Sequence, residues 1–250
     1  MKQDLAYFLS DWTFDPTDIC ARKIIGLDGR EKLQVRLDLG VLQMEVVGRP
    51  DGERPHGHAS VLDYYLDQLE AHRAKGESDD TFFLDADACG DLGQECLLFY
   101  HRYICLLRLC EFDGVVRDTT HYLAILDLVQ AYAEDEEDRI SFQQYRPYVL
   151  MISTRAKGEI CLLTDDYQGA LKRIEEGMAK IRATIEMGEE VDGEEELQAL
   201  SAWAEELDRE QPRSLLQQLT LDLQSAIAEE RYEQAAKLRD QLRDLDHRHS

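Results

Sequence analysis

Leu33-Gln34-Val35-Arg36-Leu37-Asp38-Leu39-Gly40-Val41-Leu42-Gln43-Met44-Glu45-Val46 carries a period of two. Leu33, Val35, Leu37 and Leu39 alternate with Gln34, Arg36 and Asp38, and beyond Gly40 the residues Leu42, Met44 and Val46 alternate with Gln43 and Glu45. Successive side chains of a strand point to opposite faces, so the pattern predicts half-buried strands. Upstream, Ile24, Ile25 and Leu27 precede the turn signal Asp28-Gly29. Downstream, Gly48-Arg49-Pro50-Asp51-Gly52 closes the run. The expectation is an antiparallel sheet of two or three strands. So small a sheet is marginal alone and must pack on helices or on a partner's strand.

On both sides of this sheet the period changes to that of a helix. Residues 1–15 predict a short helix with Leu5, Phe8, Leu9 and Trp12 on one face, and residues 59–75 a second one through Val61, Leu62, Tyr65, Leu66 and Leu69. Gly-Glu-Ser-Asp-Asp-Thr at 76–81 reads as a linker, and from about residue 91 the chain is helical almost throughout. The fold class is therefore α+β, mostly α. It would run as an N-terminal α+β domain (1–78), a helical-repeat-like domain of antiparallel hairpins (79–187), an acidic linker with a short helix (188–212) and a C-terminal helical hairpin (213–250). The linker belongs to a charged stretch, 186–210, with eleven acids and one base, Arg209; a short helix is expected there around Leu197, Leu200, Trp203 and Leu207.

The middle of the chain repeats itself at a spacing of 55 residues. Glu111-Phe112-Asp113-Gly114-Val115-Val116 aligns with Asp166-Tyr167-Gln168-Gly169-Ala170-Leu171, and Ile104 to Leu107 align with Glu159 to Leu162. Each copy reads as a helix, a tight acidic turn with an aromatic residue, and a second helix. This resembles the tetratricopeptide helical hairpin, although the spacing is longer than that family's repeat and two copies are visible. Two ordinary antiparallel helix pairs would read the same way.

Composition limits the functions available. The chain has 250 residues and a formal net charge of -24. A surface that negative repels phosphate backbones and acidic lipid, so direct nucleic-acid binding is not expected. The first residues hold no apolar stretch of the signal-peptide kind, and no run of eighteen apolar residues occurs. The six cysteines form no Cys-x-x-Cys pair, and several fall in apolar helical stretches. They read as reduced, mostly buried thiols of a cytoplasmic protein.

The C-terminal residues 214–247 divide into two helical stripes, Leu216, Leu219, Leu223 and Ile227, then Ala235, Leu238, Leu242 and Leu245, with a break at Glu229-Glu230-Arg231-Tyr232. Ala235 and Ala236 lack bulk and let two helices approach, while Tyr232 would cover the turn. The run Ala-Ile-Ala-Glu-Glu-Arg-Tyr-Glu-Gln-Ala-Ala-Lys-Leu-Arg-Asp-Gln-Leu-Arg, 226–243, resembles the UVR motif found in the UvrB helicase subunit, the UvrC nuclease subunit, Clp ATPases and McsA-type adaptors. That resemblance implies a docking hairpin that pairs with another hairpin, in DNA repair or in protein quality control. It places Tyr232, Ala235, Ala236, Leu238, Arg239 and Leu242 on or beneath the contact face. A hairpin this short buries little apolar area by itself, so it needs either the rest of the chain or a partner; both remain open at this point. The chemistry of those families is not carried with it: the chain has no Gly-x-x-x-x-Gly-Lys-Ser/Thr loop, no Cys-x-x-Cys zinc pair and no recognisable nuclease module.

Arg49-Pro50-Asp51-Gly52-Glu53-Arg54-Pro55-His56-Gly57-His58 is the second candidate site. Arg49 and Arg54 would act as forks for a small anion or an acidic segment, with His56 and His58 beside them. A metal reading would use His56 and His58 with Asp51 or Glu53. A rigid turn joining sheet to helix explains the same residues. Asp85-Ala86-Asp87-Ala88-Cys89-Gly90-Asp91 resembles the opening of a calcium loop but has Cys96 where the bidentate carboxylate belongs, so a helix cap is expected there instead. His101 and His121 read as satisfied helix histidines. The functional expectation is a non-catalytic adaptor without cofactor or metal that docks to a protein or to its own copy. The alternative is a ligand-binding regulatory protein or enzyme with its site at Arg49–His58.

Overall fold

The computed structural model describes residues 8–187, 191–211, 215–229 and 231–249, without the side chains of 215–218, 220, 221 and 241–249. Strands β1 (Ala21–Ile25), β2 (Glu31–Leu37) and β3 (Gly40–Glu45) come first. Helices α1 (Val61–Ala74), α2 (Ala86–Arg108), α3 (Phe112–Tyr132), α4 (Glu136–Gln143), α5 (Arg146–Leu162) and α6 (Tyr167–Met187) follow. Then come α7 (Glu194–Glu210), α8 (Leu215–Ala228) and α9 (Tyr232–His249). The fold is thus α+β and mostly α, as the periodicities predict. The chain divides into two compact units, Met1–Ala204 and Glu205–Ser250. Among the described residues no helix is long and apolar enough to cross a membrane.

The sheet is antiparallel in the order β1-β2-β3, with Lys23 opposite Leu33, and Leu33 opposite Met44. Leu33, Val35 and Met44 face inward and join one hydrophobic core with Leu69, Leu92, Leu106, Ile125 and Val129 of the helices. That shared core answers the sheet's need for a cover. The alternation stops short of Leu39, however. β2 ends at Leu37, which pairs with Gly40 across a two-residue turn, and Leu39 at its tip is 89% exposed. On the outer face Lys32 is ion-paired with Glu45 and with Asp28.

The expected helix over 1–15 is shorter where it is described. Phe8 and Leu9 are helical and a turn follows; Leu5 lies outside the described residues. Asp15 then accepts hydrogen bonds from the Thr17 N–H (2.8 Å) and Oγ1 (2.6 Å), a local turn that competes with helix. Trp12 is drawn to β1, where the Arg22 guanidinium lies 3.8 Å from its ring centroid. The stretch 76–81, expected as a linker, is tied down. Asp79 accepts from the Arg73 Nε (2.8 Å) and the Tyr132 hydroxyl (3.0 Å), and Leu84 pairs with Ala133 in an isolated bridge.

The two turns aligned at a spacing of 55 residues share one pattern of backbone hydrogen bonds. After α2, Cys110 N–H donates to Leu107 O and Glu111 N–H to Leu106 O; after α5, Asp165 N–H donates to Leu162 O and Asp166 N–H to Cys161 O. Cys110 (φ 59°) and Asp165 (φ 56°) both take the left-handed conformation. These are two Schellman caps in the same place of each copy, each with a residue other than glycine at the left-handed position. Asp85 caps α2 as expected, accepting from the Ala88 N–H at 2.9 Å. In the acidic stretch, α7 is longer than the short helix expected. It buries Leu200 and Trp203, and the Trp203 ring sits where a Cβ on Gly158 of α5 would be, 2.4 Å from Cη2.

Candidate functional site

The C-terminal unit holds the first candidate. Helices α8 and α9 form a hairpin whose seam is Ala226, Ala235 and Leu238, with Leu219 and Leu223 partly buried against it. Leu219, Leu223 and Ala226 follow the spacing i, i+4, i+7 of one helix face. The turn closes by an Arg231 N–H bond to Ala226 O at 2.8 Å, and the Arg231 guanidinium pairs with Glu229 at 2.9 Å. Small residues at 226 and 235 let the helices meet there.

The residues expected on the contact face separate into two groups. Ala235 and Leu238 are buried in the seam. Tyr232 is 68% exposed, and Ala236 and Arg239 are exposed too. The Leu242 side chain lies outside the described residues, as do those of Leu216 and Leu245. Ile227, expected in the first apolar stripe, is 54% exposed, because Ala226 takes the seam position. Tyr232, Ala236 and Arg239 fall at i, i+4 and i+7, so they form an outer stripe beside the seam.

The second candidate, Arg49–His58, is a folded connection between β3 and α1. The Arg49 side chain is 9% exposed; its Nη1 lies 3.6 Å from Glu95 and its Nε 3.2 Å from Asp51. His56 stacks on Tyr64 with ring centroids 4.1 Å apart, and His58 contacts Asp67 through Nε2 at 3.0 Å. Arg54 is exposed and reaches the carbonyl of Gly57 at 3.4 Å. The two histidines thus pack around one tyrosine of α1, and the two arginines are not brought together as a fork. Among the described residues no group of three His, Cys, Asp or Glu is placed to hold a metal ion.

Beneath this loop lies a buried polar network that the sequence reading missed. Glu95, fully buried on α2, accepts from the N–H groups of Val61 (2.7 Å) and Leu62 (3.1 Å) at the start of α1. It also accepts from His121 of α3 at 2.9 Å, and that ring stacks on Phe99. Burial pushes the Glu95 carboxyl up, but the His121 bond and the two backbone donors outweigh it and hold it below its ordinary value. Further along the same helix, Arg102 forks onto Asp118 of α3 with two bonds of 2.7 Å. Its remaining nitrogen donates to the carbonyls of Glu45 (3.0 Å) and Gly48 (2.6 Å). Arg117 adds a bond from its Nε to Asp118 (2.9 Å) and one from Nη2 to Val46 O (3.0 Å). The signal was available: Glu95 and Arg102 stand on the stripe Ala88, Leu92, Phe99, Leu106, where every other member is apolar and buried. A charge on a buried stripe needs a partner. Chemically the network is a clamp that fixes the end of the sheet and the start of α1 to α2 and α3.

A cavity of about 750 Å³ also opens among α3, α4, α5 and α6, lined in part by Asp127, Arg139, Arg146, Leu150 and Lys180. Arg146 is paired with Asp127 at 2.7 Å, and the Arg139 Nε donates to Ala133 O at 2.9 Å. These contacts join wall to wall.

The architecture is therefore an α+β body with a separate helical hairpin at the C-terminus. Compared with known families, residues 213–248 match the UvrB/uvrC motif. That match covers the hairpin and stops there. No curated protein and no solved structure matches the chain.

Proposed function

We propose that this chain is a non-catalytic adaptor of the cytoplasm that docks to a protein partner through the outer stripe of its hairpin. Ile227, Tyr232, Ala236 and Arg239 would supply the contact. The observation that carries the reading is the separation of seam from surface. Ala226, Ala235 and Leu238 are turned inward, while a tyrosine and an isoleucine stand in solvent on a hairpin that matches the UvrB/uvrC motif. Burying a side chain of this kind is worth roughly 1.5–3 kcal/mol, and an exposed aromatic beside an arginine is a common composition for an interface hot spot. The partner would be a second hairpin of this type, on another protein or on another copy of this chain, within DNA repair or protein quality control. With a net charge of -24, direct nucleic-acid contact is disfavoured.

The test uses the full chain against an Ile227→Asp, Tyr232→Ala double variant, which leaves the seam intact. Circular dichroism first checks that helicity is kept. Sedimentation then reads self-association, and affinity capture from a lysate of the source cells reads other partners. Docking through the outer stripe predicts that association falls at least tenfold in the folded variant. Equal association of both forms would sink the reading. Leu238→Asp is a poor probe, because Leu238 holds the hairpin together.

A further inference from the structure

Two tethers join the segment that leads into β1 to the turn between α2 and α3. Asp18 takes a two-pronged bond from Arg108, at 2.9 and 2.7 Å, and Lys23 donates to Glu111 at 2.7 Å. Cys20 lies between Asp18 and Lys23 in the chain, and Cys110 lies between Arg108 and Glu111. Each cysteine is therefore bracketed by residues whose partners bracket the other. The strand itself comes within 8 Å of α2, Cα to Cα. We propose that Cys20 and Cys110 are a reversible dithiol–disulfide pair that staples the sheet to the helical body.

Three further observations support the pairing. Cys110 is exposed and Cys20 half-buried, whereas Cys89, Cys96 and Cys105 are buried. Burial pushes the Cys89 and Cys105 thiols up to about 12 and the Cys96 thiol further still, which keeps those three inert. Arg108, two residues before Cys110, is held by Asp18, two residues before Cys20, so one ion pair runs beside the proposed bond. Finally, Cys110 sits just beyond α2 in a left-handed turn position that favours glycine, which places it at the end of the helix instead of within it. A disulfide needs Cα atoms about 4.4–6.8 Å apart, and the two tethers hold the cysteine-bearing segments side by side. Cys20 would exchange only long contacts, 3.4–3.9 Å, with the backbone of Asp15 and Asp18.

A small disulfide such as oxidised glutathione supplies the oxidising equivalents. The exposed Cys110 thiolate attacks it, forms a mixed disulfide and expels one glutathione thiolate. The Cys20 thiolate then attacks the Cys110 sulfur and expels the second. The protein loses two electrons and two protons, and two glutathione thiols are formed.

The experiment incubates the full chain with oxidised glutathione, blocks free thiols, and maps disulfides by mass spectrometry without reductant. The expected result is a Cys20–Cys110 linked peptide and an intact mass lower by two hydrogens. The melting temperature should rise by roughly 5–10 °C for a loop this long, and dithiothreitol should reverse the rise. Cys20→Ser should stop at the glutathione adduct of Cys110, and Cys20→Ala repeats the test if serine disturbs folding. A stable adduct on Cys110 in the unsubstituted protein, a link between two molecules, or no reaction at Cys20 would overturn the proposal.

Discussion

Replacing Asp118 with alanine removes the carboxylate from a buried fork and leaves the Arg102 guanidinium behind. The Asp118 side chain is fully buried and that of Arg102 is 1% exposed. After the change Arg102 keeps the carbonyls of Glu45 and Gly48 and the face of Phe99, 4.9 Å away, but no counter-charge of its own. Breaking a buried pair from one side costs about 3–5 kcal/mol. For a chain of this size each kcal/mol moves the melting temperature by roughly 2–4 °C, so the expected fall is roughly 6–20 °C. The double variant Arg102→Met, Asp118→Leu removes both charges. It forfeits two bonds to backbone carbonyls, about 1 kcal/mol each, but strands no ion. The double variant should therefore be more stable than Asp118→Ala, and a full cycle should show a coupling of about 2 kcal/mol or more. The assay is thermal and urea unfolding, with hydrogen exchange at residues 45–52 as the local readout. A loss below about 1 kcal/mol for Asp118→Ala, or additive single changes, would refute the idea that a charged clamp holds the sheet.

Two further outcomes follow from the same packing. Glu95 has a folded pKa below its ordinary value of 4.5, so its stabilising share is complete above that pH and is lost as pH falls below it. The stability gap between the unsubstituted protein and Glu95→Gln should narrow on acidification through this range, and a gap that widens there would contradict the assignment. Gly158→Ala should cost about 1–3 kcal/mol by overpacking, because the new Cβ meets Trp203 Cη2 at 2.4 Å while Arg155 holds that ring from its face at 4.1 Å. Unchanged melting and unchanged tryptophan fluorescence would show that the ring has room to move.

The elements were legible wherever periodicity alone decides. The period of two located β2 and β3; it overran by one residue at Val46, beyond the end of β3, and at Leu39, where a two-residue turn replaces strand without any change in hydropathy. The two turns aligned at a spacing of 55 residues were also legible, and they close with equivalent hydrogen bonds, as two repeats or two ordinary helix pairs would. What periodicity does not carry is pairing across the sequence. Arg102 reaches back 57 residues to Glu45 and forward 16 to Asp118. In a chain whose residues are 32% charged, each of these looks like one more surface ion until its place on the apolar stripe of α2 or α3 is counted. The surroundings of the Arg49–His58 loop were hidden for the same reason. Arg49 shows its charge in the sequence, whereas the buried carboxylate beside it, Glu95, lies 46 residues further on.

The hairpin sets a different limit. Adjacent residues on a helix point about 100° apart, so of Ala235 and Ala236 only one can face α8. Sequence alone assigns both to a common contact face, because either alanine would let helices approach. In the fold Ala235 is taken by the seam, and this fixes the rest: Leu238 must follow it inward, while Tyr232, Ala236 and Arg239 turn outward together. A motif of this length thus contains two stripes with separate duties. The inner one closes the hairpin, and the outer one is the face that the proposed docking would use. If the hairpin docks as proposed, a change at Leu238 would abolish association by removing the hairpin and would reveal nothing about recognition. A change at Tyr232 leaves the seam closed, so any loss of association that it causes belongs to the contact itself.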